Sequence, residues 1–264
     1  MSDVLVELKR RVAIVTLNNE ATYNALHTAM IDELRATIGE LESDPEIRAL
    51  ILTGAGRGFC SGASLAGGSN IATSASDGNG SIADRIKEGL NPLLTQMRST
   101  RLPILVAVNG AAAGAGVGLA LAGDIVLAAR SAKFILSFIR IAASMDAGTS
   151  LAVQRLVGPS RARALAMLGD AISADCAESW GLIWKAIDND RLMEVAMTLA
   201  EQLAASSPLA IGRIKRQIEE AWATSFSEAI EAEAEMQRLA FMSEDVREGV
   251  AAFREKRNPV FTGR

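Results

Sequence analysis

Two glycine-rich turns are the places in this 264-residue chain where the backbone itself could do chemistry. The first runs from Gly54 to Leu65 (GAGRGFCSGASL) and the second from Val108 to Gly118 (VNGAAAGAGVG), and each follows an apolar, strand-like run. Glycine tolerates positive φ and puts no side chain between the main chain and a ligand, so N–H groups in such turns can approach a ligand closely. If the second turn opens the helix that follows it, its N–H groups also gain the field of a helix N-terminus. Two converging N–H donors form an oxyanion hole, in which one donor typically contributes about 2.7–4 kcal/mol of transition-state stabilisation. A dinucleotide site is the rival reading. It needs a crossover helix of ordinary length and an acidic residue about 20 positions on. Here the next strand starts at Ile125 and Asp124 arrives too soon, so nucleotide binding is not expected.

Other reactive side chains read as structural. His27, the single histidine, stands at a helix start, where a surface or capping role is expected. Cys60 lies beside the first turn without a basic partner and reads as packing. Cys60, Cys176 and His27 lack ligand spacing, so no metal site is expected. Glu244 and Asp245 read as part of a solvated helical face.

The elements that must position the turns follow from periodicity. Val4–Leu8 and Val12–Leu17 read as paired strands. His27 to Leu41 carries apolar residues at helical spacing and is closed by Asp44-Pro45. Strands are expected at Ala49–Leu52, Ile104–Val108 and Ile125–Ala128, with helices from Ile82 to Met97 and near Gly116–Ala122. Strands alternating with helices imply a layered α/β fold. Gly67 to Ser81 (GGSNIATSASDGNGS) is small and polar, and reads as a binding loop or a plain surface loop. After Asp190 the pattern is helical: Arg191–Ala205, Leu209–Trp222, Phe226–Met242 and Val246–Phe253. Two units are therefore expected, a core over 1–190 and a helical C-terminal region over 191–264 whose excess apolar residues suggest burial against a neighbouring subunit.

Composition excludes several classes. Hydrophobic content of 49% and charged content of 22% are globular values. A net charge of −4 argues against a nucleic-acid partner. Two cysteines cannot build a disulfide framework, so a reducing, cytoplasmic setting is expected. The opening MSDVLVELKRRVAIVTL lacks the pattern of a secretory signal. Leu102 to Gly123 is uncharged and long enough to span a bilayer, but Pro103, Asn109 and its Ala/Gly richness favour a buried strand–turn–helix; no membrane partner is expected.

Together the two turns carry a family resemblance. LTGAGRGFCSGASL resembles the crotonase signature in which a strand leads into FCAGxDL, and AVNGAAAGAGVGLALAGDIVLAARSAKF resembles the second signature. The likeness continues through QRLVGPSRARAL, AESWGLIWKAID and EGVAAFREKRNPVF, so it covers nearly the whole chain. Within this enoyl-CoA hydratase/isomerase superfamily, GAGRGFC, AAGAG, ARSAKF, WGLIW and REGVAAFREKRNPVFTG look like the phenylacetate-pathway subgroup that isomerises 2-(1,2-epoxy-1,2-dihydrophenyl)acetyl-CoA.

The resemblance implies a crotonase-type spiral of ββα units with a helical C-terminal trimerisation region, assembled as a homotrimer or a dimer of trimers. It implies an acyl-CoA thioester substrate, with coenzyme A arriving as part of the substrate and no separate cofactor. The oxyanion donors fall on the N–H groups of Ala63 and Ala115, and substrate contacts on Ala63, Ser64, Leu65, Ala66, Ala115 and Phe138.

Hydratases of the family carry two glutamates for hydration, and these align with Gly118 and Phe138, neither of which transfers a proton. Asp146, in IRIAASMDAGTSLAVQRLVG, matches the position of the single aspartate in isomerase-type members. Among Ala, Met and Ile it would be desolvated, which raises its pKa and makes it a better base. The alternative is that Asp146 caps the helix through Leu151 and Leu156. Met145 stands where the subgroup usually has proline, and Ala147 and Thr149 replace small residues of a cys-gly-gly pattern. Ser64 replaces the aspartate of FCAGxDL, and Thr22 replaces a basic residue that often meets CoA phosphates. An acyl-CoA isomerase with Asp146 as proton shuttle is the leading expectation. A hydratase with a different base and a non-catalytic acyl-CoA-binding protein are the alternatives.

Overall fold

Uninterrupted apolar runs set the centre of the molecule. The computed structural model describes residues 2–64 and 82–264; Leu65, Ala66 and the Gly67–Ser81 stretch lie outside the described residues. Ten strands are described: β1 (Val4–Lys9), β2 (Val12–Leu17), β3 (Ala49–Gly54), β4 (Gly58–Cys60), β5 (Ile104–Val108), β6 (Ala111–Ala113), β7 (Ile125–Ala129), β8 (Lys133–Ile135), β9 (Ala171–Ser173) and β10 (Lys185–Ile187). Every residue of β3 and β5 is buried, the mark of strands covered on both faces. Edge strand β1 buries only Val4.

The strands form two sheets. One has the order β1-β2-β3-β5-β7-β10 and is parallel except for the β1–β2 pair; the other has the order β4-β6-β8-β9 and is parallel except for β8–β9. The successive pairs β3–β4, β5–β6 and β7–β8 each place one strand in each sheet before the chain turns helical. This repetition is the spiral of ββα units expected from the family resemblance.

The helices are α1 (Thr28–Ser43), α2 (Ile82–Arg85), α3 (Asn91–Ser99), α4 (Ala115–Leu121), α5 (Thr149–Leu168), α6 (Ala174–Ser179), α7 (Leu192–Ala205), α8 (Pro208–Ala221), α9 (Phe226–Phe241) and α10 (Glu244–Glu255). The single helix expected over Ile82–Met97 is interrupted by a π turn at Ile86–Leu90. Pro92, just beyond it, has no N–H to return to the preceding turn, and local widening accommodates that loss. α5 likewise bends at Gly158, whose φ of 79° is non-helical, just ahead of Pro159. His27 is the N-cap of α1 and accepts the Met30 N–H at 3.4 Å. The uncharged stretch 102–123 is divided among β5, β6 and α4, and no helix among the described residues is long and apolar enough to cross a membrane.

α7 buries Leu192, Ala196, Ala200 and Ala204 and packs on β2, β3, β5 and β7. The first helix after residue 190 thus turns its buried face to the sheet. α8 and α9 bury no residue completely and expose Ile218, Trp222, Phe226 and Phe241. Two polar anchors hold the C-terminal region. Lys215 of α8 donates to the Leu102 carbonyl at 2.8 Å and pairs with Asp124 at 2.9 Å. Asp245, expected on a solvated face, is instead 3% exposed. Its carboxylate accepts from the Ser207 hydroxyl (2.6 Å) and the N–H groups of Thr262 (2.8 Å) and Gly263 (3.1 Å), which draws the C-terminal tail onto α8. Helical periodicity does not register such a partner 17 residues downstream.

Candidate active site

The first turn is shaped by its neighbours rather than by its own glycines alone. Asn24 is fully buried in a left-handed conformation (φ 58°), which asparagine tolerates better than most residues. Its side-chain nitrogen donates to the carbonyls of Ala55 (3.0 Å), Gly58 (2.9 Å) and Phe59 (3.1 Å), while its oxygen accepts the Asn19 N–H at 2.8 Å. Asn109 does the same from the second turn, donating to Gly56 and accepting from the Gly54 N–H. These two asparagines stitch the turns together. Neither stands out in the sequence; the only signal is an asparagine flanking a glycine turn or an apolar run.

Beyond β4 the chain makes a one-residue parallel bridge between Leu26 and Ala63. The Leu26 N–H donates to Gly62 at 2.7 Å, and the Ser64 N–H donates to Leu26 at 2.8 Å. With the flanking peptides committed to Leu26, the N–H of Ala63 itself points away from Leu26. Gly62 has φ 94°, and a Cβ there would lie 2.7 Å from the Ala113 carbonyl oxygen and 3.3 Å from the Ala115 nitrogen. A side chain at position 62 would thus press on the main chain at Ala113–Ala115.

Ala115 is the first residue of α4, so its N–H has no acceptor within the helix. It follows Gly114, whose φ 51° and ψ −123° suit glycine alone. Gly116 packs so tightly on the Cys60 carbonyl that no side chain would fit between them. Cys60 itself is buried, which pushes its thiol up to about 12 and leaves it inert at neutral pH. Phe138 is buried in a 3-10 turn, Ser137–Ile141, with its ring against Gly114. Ser64 continues the chain after Ala63; the expected contacts Leu65 and Ala66 lie outside the described residues.

Asp146 enters from the turn before α5. Its carboxylate does not cap that helix: the N-cap is Gly148, and no side chain accepts a first-turn N–H. The main-chain carbonyl of Asp146 is used instead, accepting from the Thr149 N–H at 3.0 Å and the Thr149 hydroxyl at 2.7 Å. The Oδ1 atom is buried and has no hydrogen-bond partner among the described residues. Burial, with no opposing charge, raises the carboxyl above the ordinary aspartate range. A buried acceptor without a partner costs about 1–3 kcal/mol, so it is a feature that folds do not accumulate without use.

Gly118 explains why this carboxylate stands where it does. A Cβ built on Gly118 would overlap the carbonyl oxygen and Cβ of Ala147 and sit 3.1 Å from its carbonyl carbon. The turn carrying Asp146 fills the space that a side chain at position 118 would need. A glutamate at 118 and this placement of Asp146 are mutually exclusive.

Two hollows among the described residues lie elsewhere. A groove of roughly 650 Å³ runs between α8 and α9, and a gap of roughly 10 Å³ sits behind α4 among Val117, Phe134 and Leu182. Neither is lined by Ala63, Ala115 or Asp146; the site is marked by its backbone donors and by a buried carboxylate oxygen without a partner among the described residues. A pair of N–H groups can polarise a carbonyl, and a nearby raised-pKa carboxylate can take a proton that this polarisation has acidified.

Comparison with known proteins gives the family. The sequence profile described as enoyl-CoA hydratase/isomerase matches residues 7–264. The chain is 39% identical over 264 residues to the 1,2-epoxyphenylacetyl-CoA isomerase of Escherichia coli (strain K12), covering 100% of both chains. It is also 39% identical over 258 residues to a protein named "Probable enoyl-CoA hydratase" of Rhodobacter capsulatus, covering 98% of this chain and 97% of the relative. The crystal structure of an enoyl-CoA hydratase from Polaromonas sp. JS666 superposes with a TM-score of 0.92 at 32% identity, covering 98% of this chain and 99% of the other.

Proposed function

Because the chain belongs to the enoyl-CoA hydratase/isomerase family, we propose that it is an acyl-CoA isomerase acting through a thioester enolate. The N–H groups of Ala63 and Ala115 hold the thioester oxygen. The carbonyl gives up electron density to them, and the α-carbon becomes acidic. Asp146 takes the α-proton, the negative charge moves onto the thioester oxygen, and the same carboxyl returns the proton at another carbon of the conjugated system. Atoms balance without water or a cofactor; coenzyme A comes with the substrate. The relatives' names favour an unsaturated or ring-epoxide acyl group.

One observation carries this reading. No carboxylate side chain fits at position 118, because the Ala147 turn occupies that space, while the Asp146 Oδ1 atom is buried without a partner among the described residues. One base suffices for isomerisation, whereas hydration in its usual form needs two acid–base groups. Asp146→Asn is expected to retain acyl-CoA binding and to lose solvent proton exchange into the substrate. Full turnover in that variant would remove Asp146 from the mechanism.

A hydratase reading has its own support in the equally similar Rhodobacter relative. It requires solvent oxygen in the product, which incubation in oxygen-18 water detects. For assembly, the exposed Ile218, Trp222, Phe226 and Phe241 of α8 and α9 support burial against other copies in a homotrimer or a dimer of trimers. Sedimentation showing a stable monomer at working concentration would rule that out.

A further inference from the structure

The turn that presents Asp146 is held by its main chain and left free at its carboxylate. Most helices begin with a Ser, Thr, Asp or Asn whose side chain accepts a first-turn N–H. α5 begins with Gly148 in the left-handed region (φ 69°, ψ 5°), preceded by Ala147, also left-handed at φ 52°. A left-handed alanine is strained, so neighbouring contacts must hold it there. Two are visible. Gly118 abuts Ala147 from one side. From the other, Thr149, fully buried, directs both its N–H and its hydroxyl to the Asp146 carbonyl.

We propose that Thr149 is a positioning residue: its hydroxyl fixes the Asp146–Ala147 peptide and keeps the Asp146 carboxylate from swinging back to cap α5. The first-turn N–H groups of α5 attract any nearby anion by hydrogen bonding and by the helix field. Thr149 counters this by doubling the bond to the carbonyl, so that the peptide cannot rotate without losing two donors. A buried hydrogen bond is of the same order as the strain it offsets, so losing the hydroxyl weakens the hold on the turn even with the Thr149 N–H and Gly118 contacts in place. The groups packed around the carboxylate do not do this job electrostatically. α4 carries no charge, and Arg140, on the preceding 3-10 turn, faces Asp170 at 4.0 Å.

The inference rests on the proposed role of Asp146 only in its kinetic part, so two readouts are needed. The Asp146 carboxyl is followed by carbon-13 NMR titration of the full-length, ligand-free protein, with its signal assigned by loss in Asp146→Asn. Deuterium exchange into a 3-enoyl-CoA gives kcat and KM separately. Thr149→Val, which keeps the shape and removes the hydroxyl, is expected to move the Asp146 midpoint toward the ordinary range by roughly one pH unit. It is also expected to lower kcat about tenfold with little change in KM. Thr149→Ser, which keeps the hydroxyl, restores both. Should the valine variant fail to fold, Thr149→Ala reports the same loss. A wild-type midpoint in the valine or alanine variant overturns the inference, whatever happens to thermal stability. If Asp146→Asn stays fully active, the proton-shuttle reading fails, while the NMR midpoint still decides the role of Thr149.

Discussion

Replacing Gly118 by alanine tests the packing on which the single-base reading depends. The added methyl would lie about 1 Å inside ordinary van der Waals contact with the Ala147 carbonyl and Cβ. The backbone on both sides is constrained: α4 is wholly buried, and Ala147 already sits at φ 52°. The clash must therefore be relieved by moving the Asp146 turn. Overpacking of this kind costs about 1–3 kcal/mol. In a domain of this size that lowers Tm by roughly 2–10 °C. A catalytic group displaced by about 1 Å loses on the order of a hundredfold in rate. Thermal melts of wild type and Gly118→Ala give the first quantity, and deuterium exchange into a 3-enoyl-CoA gives the second. If the variant melts with wild type and exchanges at the wild-type rate, the Asp146 turn is not wedged against α4 and the argument from position 118 fails. Gly118→Glu sharpens the test: it should unfold more readily than Gly118→Ala, not convert the protein into a hydratase.

The other predictions concern pH, the first turn and the C-terminal anchor. A raised carboxyl penalises the folded state once ionised, so the stability contributed by protonated Asp146 is full below its unfolded pKa and is lost as pH climbs through the raised folded value. Asp146→Asn should therefore melt above wild type at pH 7, with the gap closing toward about pH 4; a gap that widens on acidification contradicts the burial argument. Gly62→Ala places a methyl 3.3 Å from the Ala115 nitrogen at a φ of 94°, and should lower kcat by about 10²–10³-fold, as for one lost oxyanion donor. Steady-state kinetics with wild-type values would detach Gly62 from the site. Lys215→Ala strands the partly buried Asp124 and should cost about 3 kcal/mol in denaturant unfolding, while a loss below 1 kcal/mol would make the pair dispensable.

The large sheet was legible in the sequence because its strands bury apolar residues continuously: Val12–Leu17 and Ile104–Val108 match their expected bounds residue for residue. The second sheet was not. Its strands β4, β6, β8 and β9 are three residues each, too short for any period, and exist because the spiral brings Gly58–Cys60 beside Ala111–Ala113. The two turns and Asp146 stood out by composition and family resemblance, but what holds them did not. Asn24, Thr149 and the Gly118–Ala147 contact act on main-chain atoms up to 35 residues away, and the sequence around them does not show those partners. Asp245 misled for the same reason, since its partners Thr262 and Gly263 lie beyond its own helix.

The central claim is that this chain forms a thioester enolate and moves a proton with one carboxylate. Incubating the protein with a 3-enoyl-CoA in deuterated water and following the substrate by mass spectrometry tests it directly. Deuterium uptake with a shifted double bond and no added oxygen is the predicted result, and it should vanish in Asp146→Asn. Water addition to give a 3-hydroxyacyl-CoA, or tight binding with no exchange into either a 3-enoyl or a ring-epoxide acyl-CoA, would contradict it.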